Sequence, residues 1–464
     1  MAALSGVMTP IRTIPRLAAM SALVAILAAC STPASEAAGD EPVATDPDAT
    51  DTDSLAVSSE LFDSSTVHTI SVGLDETEYD AMIQTFTETG EKDWISIDVT
   101  IDGETYENAG MRLKGNSSLF GLSAETADNP EDLPWLIDLD EFVDGQDHDG
   151  VDEIVIRSNS TETGMNEAVA QELLSLTGLA SQDAIATAFT VNGGETELRL
   201  AVENPDGTWH DDNFDDQDGL LYKADSEGDY SYRGDDPDAY DDVFDQEAGD
   251  DDLTPLIGFL DFINNSDDAT FAAELGDRLD VDAFATYLAY QDLIGNDDDI
   301  DGRGNNSYLQ YDTTTDQFTV VSWDLNLAFG TANVGGGGGG AAGGGVPGGG
   351  APGGGVPGEL PVGGPPAGAA GERPVGGPPA GDLPGAGAGG SNILVERFMA
   401  DDGFAALYAQ KTDELTELLF TSGTVDDVIA DWSDVLIDGA SDLVGEDVVM
   451  AEAAALTAYA DGAR

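Results

Sequence analysis

Cysteine occurs once in the 464 residues, at Cys30, so the fold can hold no intrachain disulfide. Basic side chains are scarce as well. Lys and Arg total 15 against 92 Asp and Glu, a formal net charge of -77. Such a surface repels nucleic-acid phosphates, which need cationic neutralisation, so nucleic acid is not an expected partner. The three histidines, His68, His148 and His210, show no ligand spacing, which argues against a zinc site. The apolar run from Leu17 to Ala29 is about a dozen residues long, too short to span a bilayer. What is present, 41% hydrophobic residues, suffices for a sizeable core in one large domain or two ordinary ones. The acid excess reads as a heavily solvated surface that can collect divalent cations.

The short apolar run is preceded by Arg12 and Arg16 and closes with Leu27-Ala28-Ala29-Cys30. A basic flank followed by a short apolar stretch is the layout of an export signal. Its end resembles the lipobox of bacterial lipoproteins, in which the chain is cut before the cysteine and the thiol carries a lipid. The resemblance implies that residues 1–29 are removed. It also implies an exported chain, lipid-anchored through Cys30 to the outer face of the bacterial membrane. Residues 30–64, rich in Ser, Thr, Pro, Ala and Asp, cannot bury a core and read as a disordered tether.

Order is expected to begin near His68. His68 to Leu74 alternates like a strand, the stretch from Glu78 looks helical, and Trp94 to Ile101 alternates again. Asp102-Gly103 is a hairpin-turn pair, and the return strand runs into Gly110-Met111-Arg112-Leu113-Lys114. Glu153 to Arg157 is a short apolar strand. Met165 to Leu176 reads as a helix with Val169, Leu173 and Leu176 on one stripe, stopped by Gly178. Ala186 to Val191 and Leu198 to Val202 read as a hairpin. The acidic stretch 203–250 reads as loop-rich. Helices are expected over 253–263 and 281–294, and paired strands over 307–311 and 317–323. Residues 335–391 are almost entirely Gly, Pro, Ala and Val, without a period of three, and read as a disordered insertion. Helical periodicity returns over 392–464, which is too short to fold alone and reads as the end of the domain begun at 65–334. The fold class is α+β, with mixed and antiparallel sheets and a helical C-terminal part.

Two segments carry chemistry. Arg112 and Lys114 sit two apart and project from one face of a strand. With Asn116 and Ser117 beyond Gly115, they form a candidate phosphate-binding set, in which Lys114 acts as a point charge and Arg112 as a clamp. Downstream, 296–330 holds carboxylates and amides on two short strands, ending in Trp323-Asp324-Leu325-Asn326 and Phe329-Gly330. Phosphoryl transfer needs an Asp to orient a hydroxyl, and an Asn and a second Asp to hold magnesium. Asp297, Asp299, Asp301 and Gly302 match the first half of an EF-hand loop. Its twelfth position is Tyr308 instead of a bidentate Glu, so that reading fails. Trp323 reads as a packing aromatic.

Taken together, these residues resemble the spore coat protein H (CotH) kinase family. The likeness runs from Val67-His68 through Arg112-Leu113-Lys114-Gly115-Asn116-Ser117-Ser118 and Asp140–Gln146. It continues through the Glu-containing helix, Leu221-Tyr222-Lys223, Asn296, Asn306 and Trp323-Asp324, and covers roughly 65–330 and more loosely 392–440. It implies an atypical protein-kinase-like fold that binds ATP and magnesium and phosphorylates hydroxyls of a protein substrate. Asp298 then takes the catalytic place, with Asp301 as the alternative because Asp301 to Asn306 has the catalytic-loop offset. Asn306 and Asp324 hold magnesium. Asn326 stands where the family often has Asp, an amide that can still ligate. Lys114 would be positioned by a carboxylate from the helix that follows. Glu167 and Glu172 point about 140° apart, so one serves, and Glu167 is preferred. The competing function class is a catalytically weak or inactive kinase-fold surface protein, acting in adhesion or coat assembly.

Overall fold

The computed structural model describes residues 60–123, 126–225, 229–301, 306–331 and 392–464, all within one compact unit, Ala56–Arg464. Residues 1–29, read above as an export leader, Cys30, most of 30–64, read as a tether, and 335–391, read as an insertion, lie outside the described residues. Among those described, no helix is long and apolar enough to cross a membrane.

The first half is a closed seven-strand barrel. Its strands are β1 (His68–Leu74), β2 (Ile95–Ile101), β3 (Glu104–Leu113), β4 (Trp135–Asp138), β5 (Glu153–Ile156), β6 (Ala184–Val191) and β7 (Thr196–Glu203). They run in the order β1-β2-β3-β4-β5-β7-β6. Helix α1 (Glu76–Thr89) follows β1 and α2 (Met165–Ser175) follows β5. β1 alternates buried and exposed side chains, the period-2 signature that makes a strand legible. Asp102 and Gly103, at φ 47 and 91, build the expected tight turn between β2 and β3. Closure comes from β6, which pairs in parallel with β1, His68 opposite Thr187 and Val72 opposite Val191. A latch finishes the seam: Asn192 Oδ1 accepts from the Leu74 N–H at 2.9 Å, and its amide donates to the Leu74 carbonyl at 3.2 Å.

The second half begins with α3 (Gly207–Asn213), β8 (Leu220–Ala224), β9 (Phe244–Ala248), α4 (Thr254–Asn265), α5 (Asp268–Glu274) and α6 (Val281–Ile294). Strands β10 (Ser307–Asp312) and β11 (Gln317–Ser322) follow. They complete an antiparallel sheet in the order β11-β10-β8-β9. α7 (Ile393–Ala400), α8 (Asp402–Leu415), α9 (Thr424–Gly439) and α10 (Glu446–Ala463) end the chain. α9 and α10 share a core with α2: Val169 and Leu173 pack with Val428, Trp432, Val449 and Leu456. α6 is buried nearly all round, as a helix enclosed by other elements is.

Three boundaries depart from the periodicity reading. Leu61 and Phe62, assigned by composition to the tether, are buried in the barrel core. The acidic stretch 203–250 supplies the two strands β8 and β9, each five residues long. Strands that short, between runs of Asp, show too few alternations to be read. Leu176, expected on the buried stripe, is 42% exposed because α2 stops at Ser175.

A small apolar cluster joins the two halves, with Leu136 and Val155 from the barrel meeting Leu221, Tyr308, Val321 and Trp323. The chemistry-bearing side chains gather around it.

Candidate functional site

The basic side chains of this acidic chain are concentrated. Only four lysines occur in the sequence. Three of them, Lys92, Lys114 and Lys223, lie close enough to Arg112 to repel one another. Arg112 is on β3, Lys114 just beyond it, Lys223 on β8, and Lys92 on the loop before β2. Arg112 lies over the Trp94 ring at 4.8 Å, Lys114 over Trp323 at 5.4 Å, and Lys223 over Tyr308 at 5.8 Å. Lys92 donates to the Gly115 carbonyl at 2.7 Å. Burial, reinforced by the neighbouring cations, holds the Lys92 and Lys114 ammonium groups below their ordinary pKa. The Arg112 Nε and the Tyr308 hydroxyl are buried with no hydrogen-bond partner among the described residues. Glu153 and Glu247 partly counter Lys114, and Asp225 and Asp245 partly counter Lys92; the orphaned donors beside these desolvated cations are where an added anion would be accepted.

Across Trp323 lie the carboxylates. The Asp298 carboxyl is raised, first by burial and then by the charge of Asp324. The Asn306 amide donates to the Asp298 carbonyl at 2.7 Å. Asp301 senses Asp292 and Glu396 instead, so the structure brings Asp298, and not Asp301, to Asp324. Asp324 follows β11 at φ 60, in left-handed backbone, a strained state for a residue with a Cβ. Two bonds hold this turn. Arg157 Nη2 donates to Asp324 Oδ1, and the Asn166 amide donates to the Asn326 carbonyl at 2.6 Å.

The expected partnership of Lys114 with Glu167 is not what the structure shows. Glu167 accepts from Arg157 Nε at 2.9 Å, and Glu172 accepts from the Trp432 indole at 3.1 Å. Lys114 instead donates to Asn204 Oδ1 at 2.5 Å, and the Asn204 amide donates to Glu153. The reason is placement. Arg157 leaves the end of β5 facing the first turn of α2, and it reaches Glu167 with a fork that also covers Asp324. Asn116 is exposed, and the Ser117 side chain lies outside the described atoms. Trp323 is buried as a core aromatic, and its ring also carries Lys114 on one side and Arg157, at 5.7 Å, on another. Sequence reasoning passed over Arg157, Asn204, Glu153 and Lys92. The scarcity of cations was the available signal, since each buried one had to have a purpose or a partner.

A cavity of about 380 Å³ opens beside Glu153, lined by Asp138, Asp152, Asp206 and His210 among others. Burial pushes Asp206 up to about 8 and Asp138 to about 6. Such a lining rejects phosphate.

The residues fit a magnesium-bound triphosphate. Among the described residues no three His, Cys, Asp or Glu side chains form a metal-holding group. Magnesium, however, is commonly held by one or two carboxylates together with substrate phosphates and water. Asp298 and Asp324, with the Asn306 amide, supply that partial set, and the cradle of cations and orphaned donors suits the phosphates.

Comparison with known proteins gives one family: a profile described as CotH kinase protein matches residues 111–442. No curated protein matches the chain.

Proposed function

The chain belongs to the CotH kinase protein family, and from that premise we propose that it is a magnesium-dependent protein kinase using ATP to phosphorylate Ser or Thr hydroxyls. Its fold is then an atypical kinase-like one. The barrel half presents Lys92, Arg112 and Lys114, the second half presents Lys223 together with Asp298, Asn306 and Asp324, and the nucleotide is taken between them. The observation that carries this reading is the convergence of Lys92, Arg112, Lys114 and Lys223 opposite that acidic set, in a chain of net charge -77.

When bound, ATP supplies the phosphoryl group and magnesium neutralises charge on its phosphates. The residues of the chain supply the rest. Lys114, Lys223 and Arg112 neutralise phosphate oxygens. Asp298, whose carboxyl is raised by burial and by Asp324, is suited to take the proton of an incoming hydroxyl, because a base works best when its pKa approaches the working pH. Arg157 and Asn166 hold Asp324 and Asn326 in place to face the metal.

The test is incubation of the chain with labelled ATP and magnesium, followed by the same assay on Asp298→Ala and Asp324→Ala. Asp298→Ala should abolish transfer with ATP binding nearly intact, since a positioned base acts in the transition state. Asp324→Ala should lose the magnesium dependence of nucleotide binding. Transfer undiminished in Asp298→Ala would sink the catalytic assignment.

Two observations favour the second reading, a kinase-fold surface protein without turnover. Arg157 covers Asp324, and Asn326 brings no charge to the metal side. ATP binding by calorimetry with no label transferred to any acceptor would select it. In either case we propose attachment to the outer face of the bacterial membrane through a lipid on Cys30. Wild-type chain in the membrane fraction and Cys30→Ser in the soluble one would agree. Equal distribution of the two would refute it.

A further inference from the structure

We propose that α10 is a positioning element of the site, in which Tyr459 clamps together the two turns that carry Asp298 and Asp324. The inference rests on reading those carboxylates as the working pair.

The Tyr459 ring touches both turns. It meets the Phe329 ring edge to face at 5.6 Å and 84°. It also lies against Gly330, where an added Cβ would sit 3.7 Å from it. On its other side is Gly295, the left-handed cap of α6 at φ 64. A Cβ there would overlap the tyrosine hydroxyl and lie 3.0 Å from Cζ. Gly295 launches the segment that carries Asp298, while Phe329 and Gly330 end the turn that Asp324 begins. Both ends of that turn, Asp324 and Phe329, have φ 60, a conformation that persists in residues with a Cβ only where neighbours over-determine it. Arg157 and Asn166 do so at one end, and Tyr459 does so at the other.

The same helix face holds α2. Glu452 lies two turns before Tyr459. It accepts from the Glu162 N–H at 2.9 Å, from the Thr163 N–H at 3.4 Å, and from the Thr163 hydroxyl. The Thr163 oxygen in turn accepts from the N–H of Met165, the first residue of α2, at 3.1 Å. α2 then delivers Asn166 and Glu167 to the Asp324 turn. Val449, Ala453, Leu456 and Ala460 bury the face from which both side chains project. α10, Glu446–Ala463, lies beyond residue 442, where the family match ends.

The experiment is hydrogen–deuterium exchange on wild type, Tyr459→Phe, Tyr459→Leu and Tyr459→Ala, without nucleotide. Tyr459→Ala should speed exchange together in 296–301 and 323–331 and leave the barrel strands unchanged, with Tyr459→Leu intermediate. Tyr459→Phe, which keeps the ring, should restore protection. Loosening of neither segment, of only one, or of the barrel to the same degree would overturn the clamp. Should Tyr459→Ala fail to fold, Tyr459→Leu against Tyr459→Phe decides by the same criterion. The functional readout is the magnesium concentration for half-maximal rate. It should rise in Tyr459→Ala and recover in Tyr459→Phe, with a loss of rate of up to about 100-fold for ~1 Å of displacement. If wild type binds no magnesium nucleotide, the kinase reading falls, and the exchange result still decides the clamp.

Discussion

Arg157→Met tests the ion triad at the centre of the site. Arg157 reaches two carboxylates, and their exposures differ: the Glu167 side chain is 5% accessible and that of Asp324 24%. Water can rehydrate Asp324 once the guanidinium is gone, but it cannot reach Glu167, so the damage concentrates there. Removing one partner of a buried ion pair costs about 3–5 kcal/mol. Burial already holds the Glu167 carboxyl above its ordinary value against the pull of Arg157, and loss of that pull moves it further up. A carboxyl raised in the folded state binds its proton more tightly there than in the unfolded chain. Its penalty is therefore absent below the unfolded value, grows as pH rises from there to the folded one, and is constant above it. Urea unfolding followed by tryptophan fluorescence should show a clearly larger penalty at about pH 8 than at about pH 5. Adding Glu167→Gln should recover most of the loss, because no uncompensated charge then remains. Equal penalties at the two pH values, or no recovery in the double variant, would refute the account of Glu167 as a charge held in place by Arg157.

Three other outcomes follow from the packing. Gly90 and Gly295 both cap helices in left-handed backbone, at φ 83 and 64, but only Gly295 faces a ring. Gly90→Ala should cost about 1 kcal/mol and Gly295→Ala clearly more, an excess that denaturant melts should see disappear in a Tyr459→Ala background. Leu61→Ala should cost roughly 2–5 kcal/mol as a core truncation, because Leu61 is 1% exposed; an unchanged urea midpoint would return that residue to the tether. Lys223→Met should weaken binding of inorganic triphosphate by about tenfold or more, as loss of a charge-assisted bond does, and should flatten its salt dependence in calorimetric titrations.

What the sequence reveals depends on how a residue finds its partner. β1, β2 and the turn from β2 into β3 were legible because alternation and an Asp-Gly pair are local signals. α6 was legible end to end because Asp280 and Gly295 cap it. Lys114, Asp298, Asn306 and Asp324 were legible as candidates by residue type and by resemblance. Their partners were not. The bond from Arg157 to Asp324 spans 167 positions, and no periodicity encodes a contact of that range. The choice of Glu167 over Glu172 pointed to the carboxylate that faces the site, but the cation paired with it came from β5 instead of β3. β4 and β5, four residues each, are buried on both faces and so lose the alternation that marks a half-exposed strand; β5 was still legible as a short apolar run, and β4 was not.

The parallel seam of the barrel bears on how the chain reaches this state. β1 gains β2 after the short crossing of α1, but its other edge waits for Thr187 to Val191, more than a hundred positions later. During synthesis, a strand with one row of unsatisfied N–H and C=O groups stands open through that whole interval, a template for pairing with another copy. Long loop closure of this kind slows folding relative to local pairing. Nascent chains of such negative charge repel one another, so the acid excess that solvates the finished surface also keeps the waiting edge apart from its neighbours until Asn192 closes the ring.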